Sequence, residues 1–170
     1  MILKVSRLGH PVLREVASEV DVAGIRKGSY RSLVDDMFET MHAYQGVGLA
    51  APQVHLPIRL FVYELPGDIA VRRNAEPLEP GVVFNAKYEA IGGDRIVDWE
   101  GCLSVPFLSG DCPRYRKIRV TGVDRHGEPF EKMVEGYAAR IFQHEIDHTD
   151  GHVYLDRMTD LTSLGYTIVL

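Results

Sequence analysis

The sequence predicts an α+β fold, a single domain over residues 1–170 with antiparallel strands packed around a central C-terminal helix. Three observations predict it. Apolar residues recur with a helical period at 29–45 and again at 136–152. Between them run short apolar or alternating stretches, separated by turn residues such as Gly92-Gly93 and Asp124-Arg125-His126-Gly127. Helices first, then many strands, then one helix is the order of an α+β chain, not of a doubly wound sheet.

Taken in order, residues 10–17 (HPVLREVA) suit a short helix, with Pro11 in the first turn, where a missing N–H costs little. At 29–45, Leu33, Val34, Met37, Phe38 and Met41 form one apolar stripe. Ser29 or Ser32 suits its cap and Gly46 its stop. IRLFVY (58–63) reads as a buried strand. Residues 64–80, with three prolines, read as a surface loop, 82–91 as a strand, and GGDRIVDWEG as a turn and short strand. RKIRVTGVD (116–124) is half-buried by its alternation, and EPFEKMVE (128–135) returns from the turn beside it. Tyr137, Ile141, His144 and His148 then share one face of the last helix, and Gly151 ends it.

Composition narrows the function classes. The chain has 170 residues and a formal net charge of −5, so binding driven by phosphate neutralisation is not expected. No apolar run reaches the ~18–20 residues of a membrane span. Two cysteines make no disulfide scaffold. The N-terminus lacks secretory and transit patterns, so the expected compartment is the cytoplasm.

The chemistry begins at His144-Glu145-x-x-His148. Two histidines four apart on a helix point the same way and reach one metal ion. Glu145 is rotated roughly 100° per residue from His144, so it lies beside the ion without ligating it and is placed to deprotonate a water. A hydrolytic site usually takes three protein ligands. His10, His42, His55, His126 and His152 read as ordinary surface or core histidines. Cys102, in WEGCLSVP beside Gly101, is open as the third ligand, and Cys112 reads as a small buried apolar residue. Arg140 and Asp147 suit roles behind the ligands or in surface ion pairs, and Arg114 a solvated basic loop.

Three segments together, GVGLAAPQ (46–53), EGCLS (100–104) and QHEIDH (143–148), resemble the signature motifs of peptide deformylases, in the family's order. The resemblance runs from the early helix to about residue 158. It implies metal ligation by Cys102, His144 and His148, with one Fe(II) per chain that Ni, Co or Zn replaces. It implies a hydrolase that removes the N-formyl group from the initiator methionine of new polypeptides and releases formate. Glu145 is then the acid–base group, with the Gln53 amide and the Leu103 backbone N–H on the oxyanion. Val47, Gly48, Tyr137 and Ile141 match substrate-binding positions, Gly48 by backbone pairing with an extended peptide. The implied substrates are N-formyl-methionyl peptides. The ribosome exit region is a further candidate partner, although the tail at 160–170 carries no basic run of the kind used for docking. Iron and a ligating thiolate imply loss of activity in air.

Two other classes compete. A metallopeptidase would use the same helix with a third His, Glu or Asp downstream, leaving Cys102 idle. A non-catalytic metal-binding protein would tolerate Glu145→Gln.

Overall fold

The computed structural model of the protein describes residues 1–167; the end of the 160–170 tail lies outside the described residues. Four α-helices are described: α1 (Val22–Arg26), α2 (Arg31–Ala43), α3 (Gly67–Arg72) and α4 (Gly136–Thr149). The strands are β1 (Gly48–Ala50), β2 (Leu60–Leu65), β3 (Leu78–Ala90), β4 (Arg95–Cys102), β5 (Val105–Tyr115), β6 (Lys117–Val123), β7 (Pro129–Glu135) and β8 (Gly165–Tyr166). They form a five-stranded sheet in the order β1-β2-β3-β6-β7 and a three-stranded sheet in the order β4-β5-β8. Every pairing between these strands is antiparallel, and α4 packs against strands of both sheets. The expected α+β architecture around the C-terminal helix is present.

The apolar run at β2 has a physical explanation in two covered faces. Phe61, Tyr63 and Leu65 pack with Ala139, Phe142 and Ile146 of α4. Leu60 and Val62, pointing the other way, pack with Val34, Met37 and Met41 of α2. The Phe142 ring meets Phe61 edge-on at 5.6 Å. Burying each such side chain stabilises the fold by about 1.5–3 kcal/mol. A strand buried on both faces loses its alternation and reads as continuous apolar sequence.

Several expected elements change shape. The helix at 10–17 shrinks to a 3₁₀ turn, Pro11–Arg14, capped by His10 Nδ1, which accepts from the Val12 N–H at 3.2 Å. Tyr30 precedes α2 and neither serine caps it. That helix ends through Gln45, whose φ of 56° is left-handed, one residue before the expected stop at Gly46. The 64–80 loop contains α3 and the first residues of β3. Residues 105–115 form a strand where a loop was expected, because Pro106, Gly110, Pro113 and two charged residues, Asp111 and Arg114, hide its alternation. At the end of α4 the expectation holds: Gly151 has φ +80°, and a Cβ there would meet the Arg14 carbonyl oxygen at 2.8 Å.

Candidate metal centre

Helix α4 contributes His144, Glu145 and His148, and the end of β4 contributes Cys102. The β4–β5 register breaks between Gly101 and Cys102, and Cys102 then pairs with Val105. That leaves Leu103-Ser104 as a two-residue turn beside α4. The N-terminal segment holds the turn: Leu8 donates its N–H to the Ser104 carbonyl at 2.8 Å, and the Arg7 guanidinium donates to the Leu103 carbonyl. Gly101 needs no special backbone approach, since a Cβ there would meet only the Leu108 oxygen at 3.7 Å.

One donor atom from each of Cys102, His144 and His148 lies within 4.8 Å of the others. Cys102 Sγ is 3.3 Å from His148 Nε2. His144 Nδ1 is 2.8 Å from Glu100 Oε2, which places its proton on Nδ1 and leaves Nε2 as the free lone pair. Burial holds the His148 imidazole far below its ordinary pKa, so it is neutral. Burial works the same way on His144, but Cys102 and Glu100 outweigh it and hold that imidazole well above its ordinary value. The Cys102 sulfur and the Glu100 carboxylate thus favour a positive charge at this point of the site. A thiolate and two imidazoles suit a borderline divalent cation, and this donor set fits one.

Glu145 is 4% exposed, and its Oε2 is buried without a hydrogen-bond partner among the described residues. Burial pushes its carboxyl up to about 7. Gly48 faces it across the site: a Cβ there would lie 2.3 Å from Glu145 Oε1. Gln53 is 1% exposed. Its Oε1 accepts the Ala50 N–H at 2.9 Å, so its Nε2 turns toward Cys102 Sγ at 3.5 Å and Ser104 Oγ at 3.2 Å. Val47 and Tyr137 each pack against a core cluster that includes Ile141.

The pairing of β1 with β2 orients Gly48. Glu64 donates its N–H to the Val47 carbonyl at 3.1 Å, and Gly48 lies opposite Tyr63. Antiparallel pairs alternate between bonded and non-bonded, so the Gly48 N–H and carbonyl point away from β2. β1 is the edge of its sheet, and that side is open to another strand.

Beneath the cluster lies a buried ionic network, in which the sequence offered Arg140 and Asp147 as candidates but not Arg114 as the residue that links Asp147 to Glu100. Glu100 accepts from Arg114 Nε at 2.8 Å and Nη2 at 3.0 Å, and from Arg140 Nη1 at 2.8 Å. Asp147 accepts from Arg114 Nη1 at 2.6 Å and from Arg157 Nη2 at 2.8 Å. Arg114, Arg140 and Asp147 are all buried, so the solvated loop expected of Arg114 is corrected, and of the two roles open to Arg140 and Asp147 the one behind the ligands holds and the surface ion pair does not. The available signal was Arg140, one turn before His144 on the same helical face.

The polypeptide deformylase family model matches residues 2–163. The chain is 42% identical to peptide deformylase 2 of Bordetella bronchiseptica, covering all of this chain and 95% of that one. Among solved structures, it superposes on the peptide deformylase of Thermotoga maritima with a TM-score of 0.82 and 35% identity, over 94% and 99% of the two chains. It superposes on a Met-Ala-Ser-bound class I type b peptide deformylase from Acinetobacter baumannii with a TM-score of 0.86 and 30% identity, over 93% and 99%. A family match over nearly the whole chain, with a Cys-His-His cluster beside a buried glutamate, has one reading: the chain belongs to the polypeptide deformylase family.

Proposed function

We propose that Cys102, His144 and His148 hold the metal of a peptide deformylase, with Glu145 as its acid–base group, and that residues 1–170 form one catalytic unit. The hydrolase reaction itself, removal of the N-formyl group from nascent polypeptides, follows from membership of the family. The observation that carries the site assignment is the convergence of three donor atoms within 4.8 Å next to the unpaired, buried Glu145 Oε2.

When bound, a divalent ion supplies Lewis acidity, lowering the pKa of water and polarising a carbonyl. The protein's own residues do the rest. Glu145 accepts the proton of the attacking water and returns it to the departing amine. Its raised pKa suits a group that must both take and give a proton near neutrality. The Gln53 Nε2 amide and the Leu103 backbone N–H donate to the oxygen that gains charge. Removing one such donor typically costs about 3–4 kcal/mol in the transition state. The outward-facing Gly48 N–H and carbonyl pair with the extended peptide, and Val47, Tyr137 and Ile141 receive the methionine side chain.

Fe(II) is the resident ion in this reading, with Ni, Co or Zn substituting, and thiolate ligation supports a borderline metal. The substrates are N-formyl-methionyl peptides met in the cytoplasm at the ribosome exit region. Among the described residues no helix is long and apolar enough to cross a membrane. The test is elemental analysis and formate release from formyl-Met-Ala-Ser, using protein purified without oxygen and again after exposure to air. One iron per chain, rapid release and loss in air are expected. Unchanged metal content in a Cys102→Ser variant, without formate release by the wild type, would instead favour the metallopeptidase arrangement.

A further inference from the structure

Arg73 follows α3 directly and reaches across to the site. Its side chain is only 13% exposed. The guanidinium lies 4.0 Å from the centre of the Trp99 ring and 4.3 Å from the centre of the Tyr137 ring. Its Nη1 donates to Asp98 Oδ2 and its Nη2 to the Trp99 carbonyl, both at 3.3 Å. One side chain thus joins three elements: α3, β4 one residue before Glu100, and the start of α4. Tyr137 lies two turns before His144 on α4, and Val47 packs into the same cluster. Nothing in the chemistry above uses Arg73, yet it is held by two rings and two hydrogen bonds.

We propose that Arg73 is a specificity-determining positioning residue, its guanidinium layered between Trp99 and Tyr137 to set the outer wall of the pocket that receives the substrate's first side chain. The inference rests on the reading above that Val47, Tyr137 and Ile141 receive methionine. A planar cation suits this place better than an ammonium or an apolar chain. It stacks on both ring faces while its edge bonds Asp98 and the Trp99 carbonyl. The wall is then fixed in position and adjustable only by breaking several contacts together. A side chain longer or wider than methionine would have to displace the stack.

Trp99 is the only tryptophan of the chain, so its emission reports the stack directly. The experiment compares wild-type, Arg73→Met, Arg73→Lys and Ile141→Ala proteins, each loaded with the same metal. In Arg73→Met, kcat for formyl-Met-Ala-Ser stays within about twofold, while KM rises about five- to tenfold. The kcat/KM of formyl-Phe-Ala-Ser relative to formyl-Met-Ala-Ser rises as well. Trp99 emission shifts at rest, and its response to titrated Met-Ala-Ser shrinks. Arg73→Lys keeps a charge beside Asp98 and regains thermal stability, but not the substrate ranking.

A purely structural role would lower the melting temperature of Arg73→Met and leave KM, ranking and peptide response unmoved; that result overturns the proposal. Ile141→Ala separates the two layers of the argument. If it raises KM while Arg73→Met does not, only the role of Arg73 falls. If it leaves KM unmoved, the methionine-pocket reading falls, and this inference with it.

Discussion

Gly48 and Glu145 occupy one space that holds a carboxylate or a β-carbon, not both. A Cβ at residue 48 would lie 2.3 Å from Glu145 Oε1 and 2.7 Å from its Cδ. Gly48→Ala is therefore expected to push the carboxyl aside and lower kcat at least tenfold, since small misplacements of a reacting group are costly. Steady-state formate release checks this, with circular dichroism showing an unchanged fold. The cysteines give a second test. Cys112 is fully buried, and burial first, then Glu100, pushes its thiol up to about 11. Iodoacetamide at neutral pH should label Cys102 in chelator-treated protein and spare Cys112, because the thiolate is the reactive form. Added metal should protect Cys102. Mass spectrometry of the labelled peptides reads both results, and labelling of Cys102 at equal rate with and without metal would remove it from the ligand set.

At the scale of elements, α4 and β4 are locked by buried charge. Arg114 of β5 bridges Glu100 of β4 and Asp147 of α4, and all three are at most 4% exposed. Burial opposes ionisation of Glu100, but His144 and Arg114 outweigh it and hold its carboxyl well below the usual carboxylate range. Removing one partner leaves the others buried and unpaired. Arg114→Met should cost about 3–5 kcal/mol, measured by urea denaturation. It should also weaken metal affinity, because Glu100 orients His144. These are the features that the sequence did not make legible. Periodicity marks apolar faces, and it found α2 and β2 because their buried residues are mainly apolar; in α4 the apolar residues Ile141, Phe142 and Ile146 carried the period, although the helix also buries Arg140, Gln143, Glu145, Asp147 and His148. Periodicity passed over β5, where the buried positions include Cys112 and Arg114. An arginine satisfied inside the molecule and one in solvent are the same letter. His144, Glu145 and His148 were legible for a different reason, their spacing on one helix, whereas Cys102, Gln53 and Leu103 drew their candidate roles from the resemblance of their segments to a known family. The Trp99–Arg73–Tyr137 layer joins residues far apart in the chain, and no local pattern signals it.

For the whole molecule, the site sits where three parts of the chain meet: the edge strand β1 with Gln53 behind it, the β4–β5 turn, and helix α4. Because the proposed ligands come from β4 and α4, a metal bound there would stabilise the folded state against the unfolded chain. With free metal at about a thousand times Kd, the gain is about 4 kcal/mol, or roughly 10 °C in melting temperature for a chain of this size. Differential scanning calorimetry with and without chelator checks this, and the difference should vanish in Cys102→Ser. The central claim, that Glu145 moves protons at a metal held by Cys102, His144 and His148, is tested most directly by one comparison. Formate release from formyl-Met-Ala-Ser is measured for wild-type and Glu145→Gln proteins with the same measured metal content. The account predicts rapid release by the wild type and a rate about 10²–10⁴-fold slower for the variant at equal metal. Equal rates in the two, or no release by folded, metal-loaded wild-type protein, would contradict it.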